Sequence, residues 1–230
     1  MATLTWLGHA AFRIESDRGK RIYVDPFLQG NPKTPEDEKS PERVDIIAVT
    51  HGHSDHAAEV ADLSKRFPEA EIVAQVEVKG WLGKEGANIG DLPGINKGGS
   101  QEIDGIRFTL TNAFHSSSAN DGTYLGESCG IVIQFEEGKS LYFAGDTCVF
   151  GDMQLIARLY KPDVAVLPIG DWFTMGPDEA AVALELLGNP RCVPSHWGTF
   201  PLLTGTPDRL TELAPEARIE RLGPGDSVEL

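Results

Sequence analysis

Residues 50–56 read Thr-His-Gly-His-Ser-Asp-His, bringing three imidazoles and a carboxylate, His51, His53, Asp55 and His56, into one short turn. Neutral imidazole and carboxylate are natural ligands of zinc and its first-row neighbours. Crowding them is costly unless a cation offsets their competition for protons and hydrogen bonds. A merely solvated loop has no packing reason to concentrate imidazole, so the cluster points to metal binding and, through it, to metal-assisted hydrolysis.

Further residues of ligand type follow apolar runs: His115 after Phe108-Thr109-Leu110, Asp146 after Leu141-Tyr142-Phe143-Ala144-Gly145, and His196 after Cys192-Val193-Pro194-Ser195. Each alone is an ordinary structural histidine or turn aspartate, but ligands at strand ends can converge on one rim.

The elements that hold these residues can be read from periodicity. Val44–Val49 is a β-branched, apolar run of buried-strand character, and Ala57–Phe67 carries apolar residues at helical spacing before Pro68. The cluster therefore occupies a strand-to-helix turn. In extended chain, side chains at i and i+2 share a side, so His51 and His53 can grip one ion, while Asp55 and His56 open the helix and can face a second. Gly52 is expected to permit a sharp turn between them.

The first segment, Thr3 to Leu7, Ala11 to Glu15 and Arg21 to Val24, reads as a strand meander turned by Ser16-Asp17-Arg18-Gly19-Lys20. The proline-rich, charged stretch 31–41 excludes regular structure and suggests a mobile surface loop or a lid. Strands are expected at Glu71 to Ala74, Ile106 to Thr111, Gly130 to Phe135, Ser140 to Phe143, Val164 to Leu167 and Arg191 to Pro194, with closing strands near Ile219 and Val228. Helices are expected at Val76 to Lys84, Asp152 to Tyr160, Pro177 to Leu187 and after Thr206, the last with Thr206 as cap. Strands followed by strand–helix alternation in each half imply an α/β protein with two sheets packed face to face and helices outside.

At 230 residues the chain suits one substantial core, and residues 1–230 are expected to form a single domain. No apolar run is long enough to cross a bilayer, and Met1-Ala2-Thr3-Leu4-Thr5-Trp6 lacks the character of a secretory signal. Three widely spaced cysteines, Cys129, Cys148 and Cys192, indicate neither a disulfide framework nor a thiolate zinc site, which suits a cytoplasmic protein. A formal charge of −15 opposes binding of nucleic acid and suits a small-molecule substrate. Trp81 or Trp197, if exposed, could anchor a homo-oligomeric interface, although core and pocket roles are commoner for tryptophan.

The whole set, an early aspartate, HxHxDH, a later histidine, an aspartate and a last histidine, resembles the metallo-β-lactamase superfamily. More narrowly, Trp6-Leu7-Gly8-His9, Tyr23-Val24-Asp25-Pro26, Ala113-Phe114-His115-Ser116-Ser117 and Pro168–Pro177 resemble a branch of small metal-dependent hydrolases related to ascorbate-6-phosphate lactonases. The resemblance implies a four-layer αββα sandwich of two mixed sheets. It also implies one metal held by His51, His53 and His115, a second by Asp55, His56 and His196, and Asp146 bridging them. Asp25 is then expected to orient a ligating imidazole. Two divalent ions, zinc first, with manganese, iron, cobalt or nickel also compatible, would share a hydroxide that attacks an ester or lactone.

His9, which the resemblance puts near the pocket, could bind substrate, donate a proton or make a structural hydrogen bond, and it joins Asp55 and Asp146 as a catalytic candidate. Ser116, Ser117, Asp171 and Trp172 are candidate substrate contacts. A phosphodiesterase or nuclease acting on the same dinuclear site is the alternative. A di-iron oxidoreductase is opposed by His53, where such relatives tend to carry glutamate, and a non-catalytic metal-binding module by the complete ligand set.

Overall fold

The computed structural model describes residues 1–230. In chain order the elements are β1 (Thr3–Trp6), β2 (Phe12–Glu15), β3 (Arg21–Val24), β4 (Ile46–Ala48), α1 (Ser54–Ala57), α2 (Val60–Arg66), β5 (Glu71–Val73), α3 (Val76–Lys84), β6 (Ser100–Ile103), β7 (Ile106–Asn112), β8 (Cys129–Gln134), β9 (Ser140–Phe143), α4 (Met153–Tyr160), β10 (Val164–Pro168), α5 (Pro177–Leu186), β11 (Arg191–Ser195), α6 (Pro207–Leu213) and β12 (Ser227–Glu229). They form two six-stranded mixed sheets, ordered β12-β1-β2-β3-β4-β5 and β11-β10-β9-β8-β7-β6.

Alternation along the strands explains the layering. Leu4, Trp6, Phe12, Ile14, Ile22 and Val24 of the first sheet meet Phe108, Leu110, Ile131, Ile133, Leu141 and Phe143 of the second in one core between the sheets. The opposite face of the first sheet, including Tyr23, Ile47 and Ile72, packs with Val60, Val78 and Leu82 of α2 and α3. The opposite face of the second packs Tyr142, Ala165 and Leu167 with Met153, Ala180, Leu184 and Leu210 of α4, α5 and α6. This is the expected αββα sandwich.

Register gathers the site. β1 and β3 share a direction because β2 is antiparallel to both, and β4 runs parallel to β3. In the second sheet β7, β9, β10 and β11 likewise share a direction. The segments leaving β1, β3, β4, β7, β9, β10 and β11 thus emerge from the carboxyl ends of parallel strands, where open α/β sheets place their sites. Two bonds stitch the sheets together there: Cys129 N donates to Thr50 O at 3.1 Å, and His196 N donates to His9 O at 2.9 Å.

Several sequence expectations change. The helix read over Ala57–Phe67 is interrupted between α1 and α2, where Glu59 turns its carboxylate to the Leu28, Gln29 and Gly30 amides at 2.9, 2.9 and 3.0 Å. The stretch 31–41 lacks regular structure as expected, but it is not a free lid. Buried Thr34 donates to Leu7 O at 2.8 Å, Asn31 donates to Gly8 O at 3.1 Å, and Glu38 accepts two bonds from Arg13. Ile219 forms only an isolated bridge to Cys192 rather than a strand, and Ser100–Ile103 is an additional strand, half-buried and too polar to show in the hydropathy pattern. No helix is long and apolar enough to cross a membrane.

Candidate metal centre

Two groups of ligand atoms face each other across Asp146. His53 Nδ1 lies 3.0 Å from His51 Nε2 and 3.2 Å from His115 Nε2. On the other side, Asp55 Oδ2 lies 3.8 Å from His56 Nε2 and 3.7 Å from His196 Nε2. Between them sits Asp146 Oδ2, at 3.9, 3.4, 3.6 and 3.2 Å from the Nε2 atoms of His51, His56, His115 and His196. The structure thus brings together all seven residues expected as ligands.

The fit to cations can be tested on these atoms. Metal–nitrogen bonds of about 2.0–2.1 Å in a tetrahedral shell put neighbouring ligand atoms about 3.3 Å apart, close to the spacing within the His51, His53 and His115 group. His56 Nε2, Asp146 Oδ1 and His196 Nδ1 are buried without any hydrogen-bond partner. Of these, His56 Nε2 is the atom turned to Asp146 Oδ2 at 3.4 Å, and a buried polar group left unpaired is costly. A divalent cation among these nitrogen and carboxylate donors would give His56 Nε2 a partner.

Neighbouring hydrogen bonds fix which nitrogens are available. Asp25 Oδ2 lies 2.8 Å from His56 Nδ1, so Nδ1 carries the proton and Nε2 turns its lone pair to the centre. The Thr50 hydroxyl donates to Asp25 Oδ2 at 2.6 Å and is therefore free to accept from His51 Nδ1 at 3.0 Å, which leaves His51 Nε2 as the lone pair. Thr50 N also donates to Asp25 Oδ1 at 2.8 Å. One aspartate, through one threonine, orients an imidazole of each group. Thr50 was not singled out from sequence, since a threonine before a histidine carries no signal until Asp25 is seen beside it.

Backbone conformation is specialised here. His9, Asp25, Asp171, Trp172 and His196 all have positive φ, at 55, 46, 68, 62 and 55°. Non-glycine residues rarely enter this region, and clusters of them mark functional sites. Gly145, at φ +64°, precedes Asp146, and a Cβ there would meet Cys129 O at 2.6 Å. The role expected of Gly52 changes: its φ is unexceptional, and what excludes a side chain is Leu125, whose Cδ1 would lie 2.4 Å from an added Cβ.

Electrostatics follow from burial and crowding. Burial opposes charge on His56, but Asp146, Asp25 and Asp55 outweigh it and hold its pKa well above the ordinary value. Burial likewise opposes charge on His196, yet Asp146 and Asp55 push it up to about 9. His51, His53 and His115 are lowered by burial and by neighbouring imidazoles. Although desolvated, Asp55 and Asp146 stay well below the usual carboxylate range because His56 and His196 face both.

The other expected residues divide into two kinds. His9 is fully buried, with Nε2 2.9 Å from Asp55 Oδ2 and Nδ1 3.1 Å from Thr199 Oγ1. It braces Asp55, which is the structural hydrogen bond among the roles expected of it, and burial lowers its pKa to about 4. Ser117 is also buried, accepting from Gly52 N and donating to Leu125 O, both at 3.1 Å, and so acts as a strut of the turn. Ser116 is exposed with Oγ 3.4 Å from His53 Nε2, and Asp171 and Trp172 are exposed beyond β10. Trp197 stacks on Trp6 at 5.3 Å, and Trp81 is half-buried, so neither stands free as an interface anchor.

The chain is similar to proteins of one family. The family described as "Beta-lactamase superfamily domain" matches residues 20–197. A UPF0173 metal-dependent hydrolase of Herpetosiphon aurantiacus is 45% identical over 233 residues, covering 98% of this chain and 96% of its own. Another, from Rubrobacter xylanophilus, is 46% identical and covers 98% and 95%. The solved structure of Igni18, a metallo hydrolase from Ignicoccus hospitalis, is 33% identical and superposes with a TM-score of 0.86 over 99% of this chain and 97% of its own.

Proposed function

Because the chain belongs to the metallo-β-lactamase superfamily and is a metal-dependent hydrolase, we propose that it holds two divalent ions and cleaves an ester or lactone of a small molecule. The observation that carries this reading is Asp146 Oδ2, within 3.2–3.9 Å of four imidazole Nε2 atoms drawn from both ligand groups. In this reading His51, His53 and His115 hold one ion, Asp55, His56 and His196 the other, and Asp146 bridges. When bound, such a pair supplies Lewis acidity towards a carbonyl oxygen and lowers the pKa of shared water towards about 7.

The chain's own residues do the positioning. Asp25 and Thr50 keep His56 and His51 in the ligating tautomer, and His9 fixes one Asp55 oxygen. In the hydrolysis, the acyl–oxygen bond breaks and water's oxygen bonds the acyl carbon. One proton of that water passes to the departing alkoxide. Asp55, at the open side of the site, is the carboxylate nearest to solvent for that transfer.

The test is elemental analysis of protein purified without added metal, paired with a panel of lactones and carboxylic esters against bis(p-nitrophenyl) phosphate. Two metal equivalents per chain and preference for the carboxylic substrates support the reading. His53→Ala should lose one ion and nearly all turnover while keeping its fold. Preference for the phosphodiester would make the enzyme a phosphodiesterase instead, and unchanged hydrolysis by His53→Ala would falsify the ligand assignment.

A further inference from the structure

Every segment that holds or walls the centre lacks a cation. Residues 6–12, 25–31, 49–58, 113–125, 144–152, 168–176 and 195–206 contain no lysine or arginine, although the chain has 20 of them. Arg13, which follows Phe12 directly, is bound to Glu38, and Lys33 is exposed beside Gly8. Lys65, on α2 outside the turn, is paired with Asp62 at 3.3 Å. A site that selects phosphate, sulfate or carboxylate groups normally presents arginine or lysine to them. Here no arginine or lysine belongs to the segments that carry the metal ligands.

The same segments instead expose apolar side chains. Phe114, Trp172, Phe173, Phe200 and Leu202 are 56, 69, 53, 41 and 46% exposed. Such residues are costly to display singly and informative when gathered around a site. Three segments carrying them are bound to one another at the centre: Phe114 N donates to Thr147 Oγ1 at 3.0 Å, and Met175 N donates to Thr147 O at 3.0 Å, directly after Asp146. The Phe200 ring lies 5.6 Å from His9, and Gly205 N donates to Gly170 O at 3.2 Å, joining the third segment to the second. The turn that displays Trp172 does so with two consecutive residues at positive φ, held by Asp171 Oδ1 accepting from Trp172 N at 2.7 Å. Strain maintained in this way to expose an indole suits a residue that waits for a ligand.

Resting on the hydrolase reading of the centre, we propose that the substrate is a neutral molecule with an aromatic or similarly apolar body, gripped by Trp172, Phe173, Phe114 and Phe200. Phosphorylated and distally carboxylated substrates are disfavoured.

The test compares 2-naphthyl acetate with its 6-sulfonate on zinc-loaded protein, since the sulfonate charges the end remote from the scissile bond. The neutral ester should show at least tenfold higher kcat/KM. Trp172→Ala and Phe200→Ala should erode that preference through KM while zinc content stays intact. Equal or greater activity on the sulfonated ester, preference for a 6-trimethylammonium ester, or variants that keep the preference would overturn the proposal. So would sedimentation showing a dimer that Trp172→Ala splits without changing the preference, because the patch would then be an interface between copies. If neither ester is cleaved, the assigned reaction fails, and calorimetry still decides the rim. Tighter binding of 2-naphthol than of 6-hydroxy-2-naphthalenesulfonate, weakened by Trp172→Ala, supports it, and equal or reversed affinities overturn it.

Discussion

Protons on His56 and His196 are what a divalent ion has to displace. His196 is pushed up from 6.5 to about 9 and His56 is raised in the same direction. In chelated protein these raised values add stability that is complete below 6.5 and fades as pH climbs through about 9. The ion replaces the protons, so the gain in melting temperature on adding zinc should widen between pH 6.5 and about 9. Scanning calorimetry with and without zinc checks this, and a gap that narrows would run against the ligand assignment. Asp25→Asn, which loses the carboxylate acceptor for both His56 Nδ1 and Thr50, should weaken zinc binding about 10–100-fold, read by competition with a chelator. The ligands themselves were legible because imidazole and carboxylate at HxHxDH spacing have few other uses. The residues that orient or brace them were less so: Thr50 and Thr199 act through contacts made only in the fold, and His9 was visible in sequence while its burial against Asp55 was not.

At the scale of elements, strands were readable where both faces are buried, as in β9 and β10, because an uninterrupted apolar run has no other destination. The helix read after the cluster is divided at Ala58 and Glu59, where the Glu59 carboxylate satisfies three amides of the segment after Asp25, a tertiary contact that no periodicity records. Composition likewise suggested a lid at 31–41, and buried hydrogen bonds from Asn31 and Thr34 pin it. The turn after β9 is the most exacting of these connections. Gly145→Ala combines φ +64° with a Cβ 2.6 Å from the Cys129 carbonyl, so it should cost about 2 kcal/mol or more. Urea denaturation measures the loss, and a change below about 0.5 kcal/mol would show that the turn tolerates a side chain.

Across the whole molecule, the centre exists only where two sheets meet. Asp25, the 51–56 turn and His9 come from the first sheet, His115, Asp146 and His196 from the second, and the core between the sheets sets their separation. Phe12 and Phe143 meet edge to face in that core at 5.4 Å. Phe12→Ala should destabilise the protein by about 3–5 kcal/mol and lower zinc occupancy together with it, followed by denaturation and elemental analysis. Full occupancy despite that loss would mean that the two halves of the site do not depend on the packing between the sheets. The most direct measurement is an anomalous-difference map from crystals of zinc-loaded protein. Two peaks are predicted on either side of Asp146 Oδ2, one against His51, His53 and His115, the other against Asp55, His56 and His196. A single peak, or peaks away from Asp146, would contradict the account.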